Sequence, residues 1–399
     1  MPVPTPTMAD TPFSPAHRAA PPSRLPAVGT TIFTVMSALA TQCGAINLGQ
    51  GFPDFDPDPA LLEAATRAMR EGHNQYPPMA GVPALREALA DKIAQLYGCR
   101  YDPAEEITIT AGATQALLTA LLAIVHPGDE VIALTPAYDS YAPAVALAGG
   151  RLREVPLDAE LRPDFAAIAA AIGPRTRALI VNTPHNPSGR VWSADEMLQL
   201  AELLEPTDVV LIADEVYEHM VYDGQRHHSA ASDPRLAARS FVVSSFGKTY
   251  HVTGWKVGMV AAPQPLMREF RKVHQFNVFT VNTPMQWALA DYLRSTPQAH
   301  LGLGAFYQAR RDRFRAGLAA TRLRLLPCEG TYFQCVDYRD VSDLDEPRFC
   351  EWLTREIGVA AIPLGAFESV PDTRRRIARF CFAKREATLD AALQRLARL

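Results

Sequence analysis

Alternation between short apolar runs and amphipathic helical segments is the feature that most restricts how this chain can fold. Seven apolar runs are typical of β-strands, and they cover residues 106–110, 130–134, 151–157, 178–182, 209–213, 241–244 and 256–261. Apolar strands that alternate with helices predict a mixed, mostly parallel sheet covered by helices on both faces, which is the α/β class. Because such sheets bind ligands at the carboxyl ends of their strands, we expect the functional residues there.

The length of the chain allows two domains. With 399 residues, 48% of them hydrophobic, it can bury two cores and a deep site between them. We predict a large domain at residues 61–282 and a smaller α+β domain built from residues 27–60 and 283–399. Residues 1–26 are rich in proline, alanine, serine and threonine, so we expect a disordered tail.

Charge and composition exclude several classes of partner. A net charge of −4 with scattered basic residues favours neither nucleic acid nor an anionic membrane, so we expect a small-molecule substrate. The longest apolar run, residues 116–125, is too short for a bilayer core of ~30 Å. Six cysteines without a CxxC pair or a His/Cys metal spacing indicate reduced thiols, no metal site and a cytoplasmic protein.

Lys248 is the first candidate for chemistry. It follows the apolar run 241–243, where we expect a buried strand to open into a loop. The chain has only five lysines among its 39 basic residues, so arginine serves wherever plain positive charge is enough. A guanidinium cannot lose its proton and attack a carbonyl, so Lys248 is a candidate Schiff-base lysine. An isolated lysine would more simply be a surface residue near a turn.

Two further segments predict contacts with a ligand. Residues 112–114 (GAT) form a predicted tight turn before a helix at 115–125, and the free N–H groups of that helix would suit a phosphate. The glycines of residues 49–51 would let the backbone approach a ligand closely, although they also suit a simple turn.

Six motifs, in order along nearly the whole chain, resemble those of the pyridoxal-phosphate-dependent aminotransferases with the aspartate aminotransferase-like fold. The resemblance is strongest to the branch that contains methionine aminotransferases and kynurenine or glutamine aminotransferases. The motifs are residues 47–55 (NLGQGFPDF), 186–189 (NPSG), 214–217 (DEVY), 245–248 (SFGK), 254–258 (GWKVG) and 379–384 (RFCFAK).

This resemblance implies pyridoxal 5'-phosphate as cofactor and assigns roles around it. Lys248 would form the Schiff base and later remove the α-proton of the substrate. Asp214 would keep the pyridine nitrogen protonated, although a carboxylate at a strand end could equally pair with an arginine. Asn186 and Tyr217 would hydrogen-bond the phenolic oxygen, whereas Asn-Pro by itself is a turn starter.

The resemblance also implies a phosphate site and a stacking residue. The phosphate would bind the N–H groups of Ala113 and Thr114, the Ser245 hydroxyl and Lys256, where the family often has arginine. The aromatic side chain stacked on the cofactor would be Tyr138. A tyrosine from the neighbouring subunit, Tyr76, would reach the phosphate and make a homodimer part of the site.

For the substrate, the resemblance points to Arg379 as the two-pronged partner of the α-carboxylate, aided by Asn182, Asn186 and the backbone of Gly51. Fixing the carboxylate sets the Cα–H bond perpendicular to the ring and selects proton removal, which favours transamination.

The residues around the substrate side chain favour methionine over kynurenine. Phe55 and Phe279 would give an apolar pocket for methionine, leucine or aromatic side chains. Kynurenine-type members tend to carry an aromatic residue at Thr114 and a histidine at Thr280, so these two positions weaken that alternative.

We therefore predict an aminotransferase that moves the α-amino group of methionine or another apolar or aromatic L-amino acid to a 2-oxo acid. The alternatives are a kynurenine or glutamine aminotransferase with cysteine-conjugate β-lyase activity, a regulatory binding module and a cofactor-free lysine aldolase.

Overall fold

The computed structural model describes residues 21–399, so most of the predicted tail lies outside the described residues. The thirteen strands are β1 Ile46–Asn47, β2 Ile107–Thr110, β3 Glu130–Thr135, β4 Arg151–Pro156, β5 Thr176–Asn182, β6 Val210–Asp214, β7 Ser240–Ser245, β8 Gly258–Ala261, β9 Arg324–Leu325, β10 Phe333–Asp337, β11 Val359–Ala360, β12 Ile362–Pro363 and β13 Ile377–Cys381.

Fifteen α-helices accompany these strands in the described part of the chain. They are α1 Ile32–Cys43, α2 Pro59–Arg70, α3 Pro83–Tyr97, α4 Gly112–Ile124, α5 Tyr141–Leu147, α6 Phe165–Ala171, α7 Ala194–Leu204, α8 Pro234–Ala237, α9 Phe246–Thr249, α10 Gln264–Asn277, α11 Thr283–Ser295, α12 Gln298–Leu301, α13 Leu303–Leu318, α14 Glu346–Trp352 and α15 Glu386–Leu396.

A seven-stranded sheet with the order β2-β8-β7-β6-β5-β3-β4 forms the centre of the molecule. Strands β7, β6, β5, β3 and β4 run parallel, and β8 runs antiparallel to both of its neighbours. Side chains alternate across it: Leu179 and Val181 lie in one core, and Ala178 and Ile180 lie in the other. The predicted α/β class with a mixed, mostly parallel and doubly covered sheet is confirmed.

A second core surrounds a four-stranded sheet of order β12-β13-β10-β9, and β1 pairs with β11 beside it. Helix α11 packs instead on α2 and α3, and its Ala288 and Leu289 lie in the same core as Ile109 of β2. The division into two domains stays a prediction, and this packing favours a boundary after Ser295 rather than at residue 283.

Three local predictions next to the site were wrong. Residues 112–114 are the first turn of α4 rather than a separate turn, because the Gln115 side chain accepts a hydrogen bond from the Ala111 N–H and closes the helix start. Lys248 lies in the one-turn helix α9, not in a loop. Lys256 adopts φ +55° before β8 begins, so it stands outside the strand predicted at 256–261.

The cysteines, the titratable side chains and the helices of the described residues also bear on the expectations from sequence. All six cysteines are free thiols, and four of them are buried. Within residues 21–399, no cluster of histidine, cysteine and carboxylate side chains could hold a metal ion. No helix in that range is long and apolar enough to cross a bilayer.

A buried ion pair connects α3 to the turn that follows β6. Lys92 Nζ lies 2.7 Å from Glu218 Oε1, and both side chains are less than a tenth exposed. Glu218 also accepts hydrogen bonds from Tyr97 and Ser244. Burial alone would raise the pKa of Glu218, but the charge and hydrogen bond of Lys92, together with the hydrogen bond from Ser244, outweigh it and lower that pKa well below its ordinary value of 4.5.

Replacing Lys92 by methionine should lower the free energy of unfolding by about 3–5 kcal/mol, because it leaves the Glu218 carboxylate buried without a counter-charge. Urea unfolding at pH 7 measures this. The deficit should shrink as the pH falls below 4.5, since a group with a depressed pKa loses its stabilising contribution on protonation. Lys272→Met, at an exposed ion pair, is the control and should change stability by less than ~0.5 kcal/mol. An equal loss in both variants would contradict the prediction.

Candidate active site

The carboxyl ends of three neighbouring parallel strands meet at one cavity of about 270 Å³. Asn182 ends β5 and pairs in register with Asp214 at the end of β6, and Ser245 ends β7 beside them. This is the edge at which parallel sheets bind ligands. The cavity is lined by twelve of the predicted residues, namely Gly51, Ala113, Thr114, Tyr138, Asn182, Asn186, Asp214, Tyr217, Ser245, Lys248, Lys256 and Arg379.

Lys248 reaches into the cavity from α9. Its Nζ donates a hydrogen bond of 3.2 Å to the Gly51 carbonyl and lies 5.8 Å and 5.7 Å from the ring centres of Tyr217 and Tyr332. Burial lowers the pKa of this amine to about 8, and the nearby Arg379 acts in the same direction. An appreciable fraction of the amine is therefore unprotonated and nucleophilic near neutral pH.

Asp214 is the acid of the cavity, and its partner was not predicted from the sequence. Tyr141, in the first turn of α5, donates a 2.7 Å hydrogen bond to Asp214 Oδ2. Burial raises the pKa of Asp214 to about 6, and this hydrogen bond opposes the increase. A cationic ligand group beside Asp214 would favour the ionised carboxylate.

The start of α4 forms an anion cradle with Lys256. A Cβ at Gly112 would lie 3.2 Å from Lys256 Nζ, and a Cβ at Gly258 would lie 2.9 Å from the Ala113 nitrogen. Only glycine at position 258 lets its backbone approach the start of α4 so closely, and Gly112 adopts φ +76°, a conformation that favours glycine. Free helix N–H groups, the ammonium of Lys256 and the neighbouring Ser245 together suit a phosphate group.

Arg379 lies on β13 with its side chain only 1% exposed. Its Nη1 donates to Asn186 Oδ1 at 2.5 Å and its Nη2 donates to the Gly49 carbonyl at 3.3 Å, while Nε has no partner among the described residues. The guanidinium stacks 3.8 Å from the Phe333 ring centre. A buried guanidinium with no carboxylate partner in the described chain suits an anionic ligand.

The Asn182 side chain is engaged within the chain. It donates to the Asp214 carbonyl at 2.8 Å and accepts from the Asn186 N–H at 2.7 Å. It therefore ties the loop after β5 to the end of β6, and its predicted contact with substrate stays a prediction.

Three predicted residues do not line this cavity. Phe55 packs edge-on against His251 and Phe306. Tyr76 is 80% exposed and contacts Phe279, with ring centres 5.3 Å apart, away from the cavity. A single chain therefore does not bring Tyr76 and Phe279 to its own site.

Sequence reasoning missed several lining or contacting residues besides Tyr141. Phe33 of α1 and Phe333 of β10 give the cavity an aromatic wall, and Tyr332 donates a 2.6 Å hydrogen bond to the Gly51 carbonyl. None of these residues stands at the end of a central strand, so the signal that located Asp214 could not locate them.

Residues 44–396 match the family model described as aminotransferase class I and II. The chain is a class I and II aminotransferase. Methionine aminotransferase of Escherichia coli (strain K12) is 52% identical to it over 95% of this chain and 98% of that protein. Human kynurenine–oxoglutarate transaminase 1 is 38% identical over 90% of this chain and 93% of that protein.

Solved structures agree with the fold of the aminotransferase. An Escherichia coli protein with a methionine aminotransferase function matches with a TM-score of 0.94 and 52% identity, covering 96% of this chain and all of that one. Aspartate aminotransferase from Thermus thermophilus with maleate matches with a TM-score of 0.87 and 33% identity, covering 96% and 100%. The predicted family, enzyme class and aspartate aminotransferase-like fold are confirmed, and the cofactor-free aldolase and regulatory alternatives are not supported.

Enzymes of this family depend on pyridoxal phosphate, and the cavity of the aminotransferase fits that group. It offers a nucleophilic amine at Lys248, a buried carboxylate at Asp214 and an anion cradle at α4. The Nε of Arg379, which has no hydrogen-bond partner among residues 21–399, adds a site for a second anion.

Acylation of Lys248 in the cofactor-free aminotransferase should follow a titration with a midpoint near pH 8, because burial disfavours the ammonium form. Competitive labelling with acetic anhydride from pH 6 to 11, read by mass spectrometry of the Lys248 peptide, measures the midpoint. The Lys248→Ala protein identifies the signal by its loss. A midpoint at the ordinary value of 10.5 would contradict the assigned environment.

Proposed function

We propose that this aminotransferase moves the α-amino group of methionine, or of another apolar or aromatic L-amino acid, to a 2-oxo acid with the help of pyridoxal 5'-phosphate. The observation that carries the proposal is 52% identity to methionine aminotransferase along almost the full length of both chains. Human kynurenine–oxoglutarate transaminase 1 is more distant, at 38%.

The cofactor would lie between the amine and the anion cradle. Lys248 would bind its aldehyde, Asp214 its ring nitrogen, and Asn186 and Tyr217 its phenolic oxygen. Its phosphate would contact Ala113, Thr114, Ser245 and Lys256, with Tyr138 against the ring. When bound, pyridoxal phosphate supplies an acceptor for the electron pair left on the α-carbon after proton loss.

Lys248 is suited to proton transfer as well as to binding. An amine with a pKa of about 8 exists in both protonation states near neutral pH. Nζ would therefore accept the α-proton from the donor amino acid and deliver it to the bound cofactor within the same half-reaction, and it would carry a proton in the reverse direction when the 2-oxo acid reacts. The neutral form is favoured by burial and by the nearby cations Arg379 and Lys256.

Arg379 would bind the α-carboxylate of the amino acid and of the 2-oxo acid. Asn186 and the Gly49 carbonyl set the orientation of the guanidinium, and Phe333 packs on its face. A carboxylate held in one orientation fixes the Cα–H bond relative to the rest of the site.

The charges in the cavity favour an uncharged substrate side chain. The lining residues contribute three cations, Lys248, Lys256 and Arg379, which this proposal assigns to the aldehyde, the phosphate and the α-carboxylate. No fourth cation lines the cavity of the described chain to pair with an aspartate side chain. Phe33 and Phe333 provide apolar surface instead.

A second copy of the chain would complete the site. Tyr76 and Phe279 contact each other on the surface, and Phe276 nearby in sequence is 90% exposed. Exposed aromatic side chains in one region are typical of an interface. We therefore propose a homodimer in which Tyr76 reaches the phosphate, and Phe279 the substrate, of the opposite subunit.

Purified protein given a panel of amino donors and one fixed 2-oxo acid should react well with methionine, leucine and aromatic amino acids and poorly with aspartate. Conversion of the cofactor's visible band to that of the amine form measures each half-reaction, and Lys248→Ala is the inactive control. A cysteine conjugate without acceptor should release little pyruvate. Strong aspartate turnover, or pyruvate release as the main reaction, would contradict the assignment.

Mixing Lys248→Ala with Tyr76→Ala subunits should restore activity if the site is shared. Each hybrid dimer then contains one site with both residues intact, so random reassembly gives about a quarter of wild-type activity. The unmixed variants, treated identically, are the controls. Activity no higher than the mean of the two unmixed variants would show that Tyr76 does not act across a dimer.

A further inference from the structure

Three successive carbonyls at the edge of the cavity bind two different lysines. Lys384 Nζ donates to the Phe52 carbonyl at 2.7 Å and approaches the Gln50 carbonyl at 3.4 Å. The Gly51 carbonyl between them accepts from Lys248 at 3.2 Å. The two outer carbonyls therefore face one ammonium, and the middle carbonyl faces the cavity.

A second charged contact joins the loop at residues 50–54 to residues 384–388. Here the charged side chain belongs to the loop, and it accepts hydrogen bonds instead of donating them. Asp54 Oδ1 accepts from the Arg385 N–H at 2.5 Å, and Oδ2 accepts from the Thr388 hydroxyl at 2.6 Å. Thr388 lies in the first turn of α15, where a carboxylate also interacts favourably with the helix dipole. Residues 50–54 and 384–388 are thus joined by the ammonium of Lys384 and by the carboxylate of Asp54.

The joined segment continues directly from the strand that carries Arg379. The Cys381 N–H at the end of β13 donates to the Leu48 carbonyl at 2.7 Å, and Arg379 itself donates to the Gly49 carbonyl. Residues 48–54 are therefore bound along their length to residues 379–388. Any shift of this loop would move Gly51 relative to both Arg379 and Lys248.

We propose that Asp54 and Lys384 form a positioning clamp, the Asp54–Lys384 clamp, which aligns Gly51 with Lys248 and Arg379 and so sets the affinity for amino acid and 2-oxo acid. The inference rests on the proposed function only in taking these two substrate classes as ligands of the cavity. Neither clamp residue lines the cavity, so both act through Gly51.

The type of residue supports this role. Lys384 is one of only five lysines in the chain, and it is 4% exposed. Its compact ammonium has three donors that can point to two separate carbonyls, whereas a planar guanidinium is suited to a flat bidentate acceptor. No carboxylate of the described chain pairs with Lys384, so its charge is compensated by backbone carbonyls and by the Phe52 ring at 5.2 Å.

Lys384→Met tests the clamp, because it keeps an unbranched apolar stem as far as Cε and removes the ammonium donor. KM for both the amino donor and the 2-oxo acid should rise about tenfold or more while kcat changes less than about threefold, since the loss affects substrate alignment. Hydrogen exchange of the amides in residues 49–55, measured without substrate, should become about tenfold faster. Lys272→Met, at an exposed lysine, is the matched control.

Asp54→Asn should also raise KM with little change in kcat and speed up hydrogen exchange in residues 49–55. If Lys384→Met does not fold, the proposal is tested with Asp54→Asn alone. KM values within twofold of wild type in the folded variants would overturn the proposal, as would a fall in kcat without a change in KM. If methionine proves not to be the donor, KM can be measured with any amino donor that the enzyme turns over. Hydrogen exchange reports on the loop even if no donor is found, so failure of the clamp is distinguishable from failure of the proposed function.

Discussion

Three cations share one cavity with a single carboxylate, and the surrounding structure has to hold them there. Lys248, Lys256 and Arg379 repel one another, and burial adds to the cost of the charges on Lys248 and Arg379. Each charge is stabilised in a different way. The pKa of Lys248 falls to about 8, and Arg379 donates hydrogen bonds to Asn186 and the Gly49 carbonyl. Lys256 lies at the open side of the cavity, beside the start of α4. Such a cavity favours anionic ligands at two separate places, which suits a phosphorylated cofactor and an α-carboxylate.

Rigid supports behind the cavity keep these charges in place. Glu218 follows Tyr217 directly, and it is bound to Lys92 of α3 and to Ser244 of β7. This carboxylate therefore links the segment after β6 to the end of β7, on the side away from the ligand. In the part of the chain built around the four-stranded sheet, hydrogen bonds between β13 and the loop at residues 48–54 hold Arg379 and Gly51 in place. The buried Glu218 carboxylate is paired with Lys92 and hydrogen-bonded by Tyr97 and Ser244, which is the condition for a buried charge to be tolerated.

Much of the site could be predicted from sequence because its residues follow apolar strands. Asp214, Asn182 and Ser245 end their strands as expected, and the parallel order of those strands brings them together. Tyr141 could not be predicted in this way. It begins a helix 73 residues before its partner Asp214, and only the packing of α5 on the sheet brings the two side chains to 2.7 Å. Phe33 and Tyr332 escaped prediction for the same reason, since contacts between distant segments leave no local pattern.

The sequence by itself determined the α/β class, because apolar periodicity is a local property of the chain, and the resemblance of its six motifs to those of a known family indicated the family and the chemical groups of the site. The tertiary structure decided which groups face each other. It directed Phe55 towards His251 and Phe306 and left Tyr76 on the surface. It also set the pKa of Lys248 and Asp214, because the cost of burying a charge depends on everything packed around it.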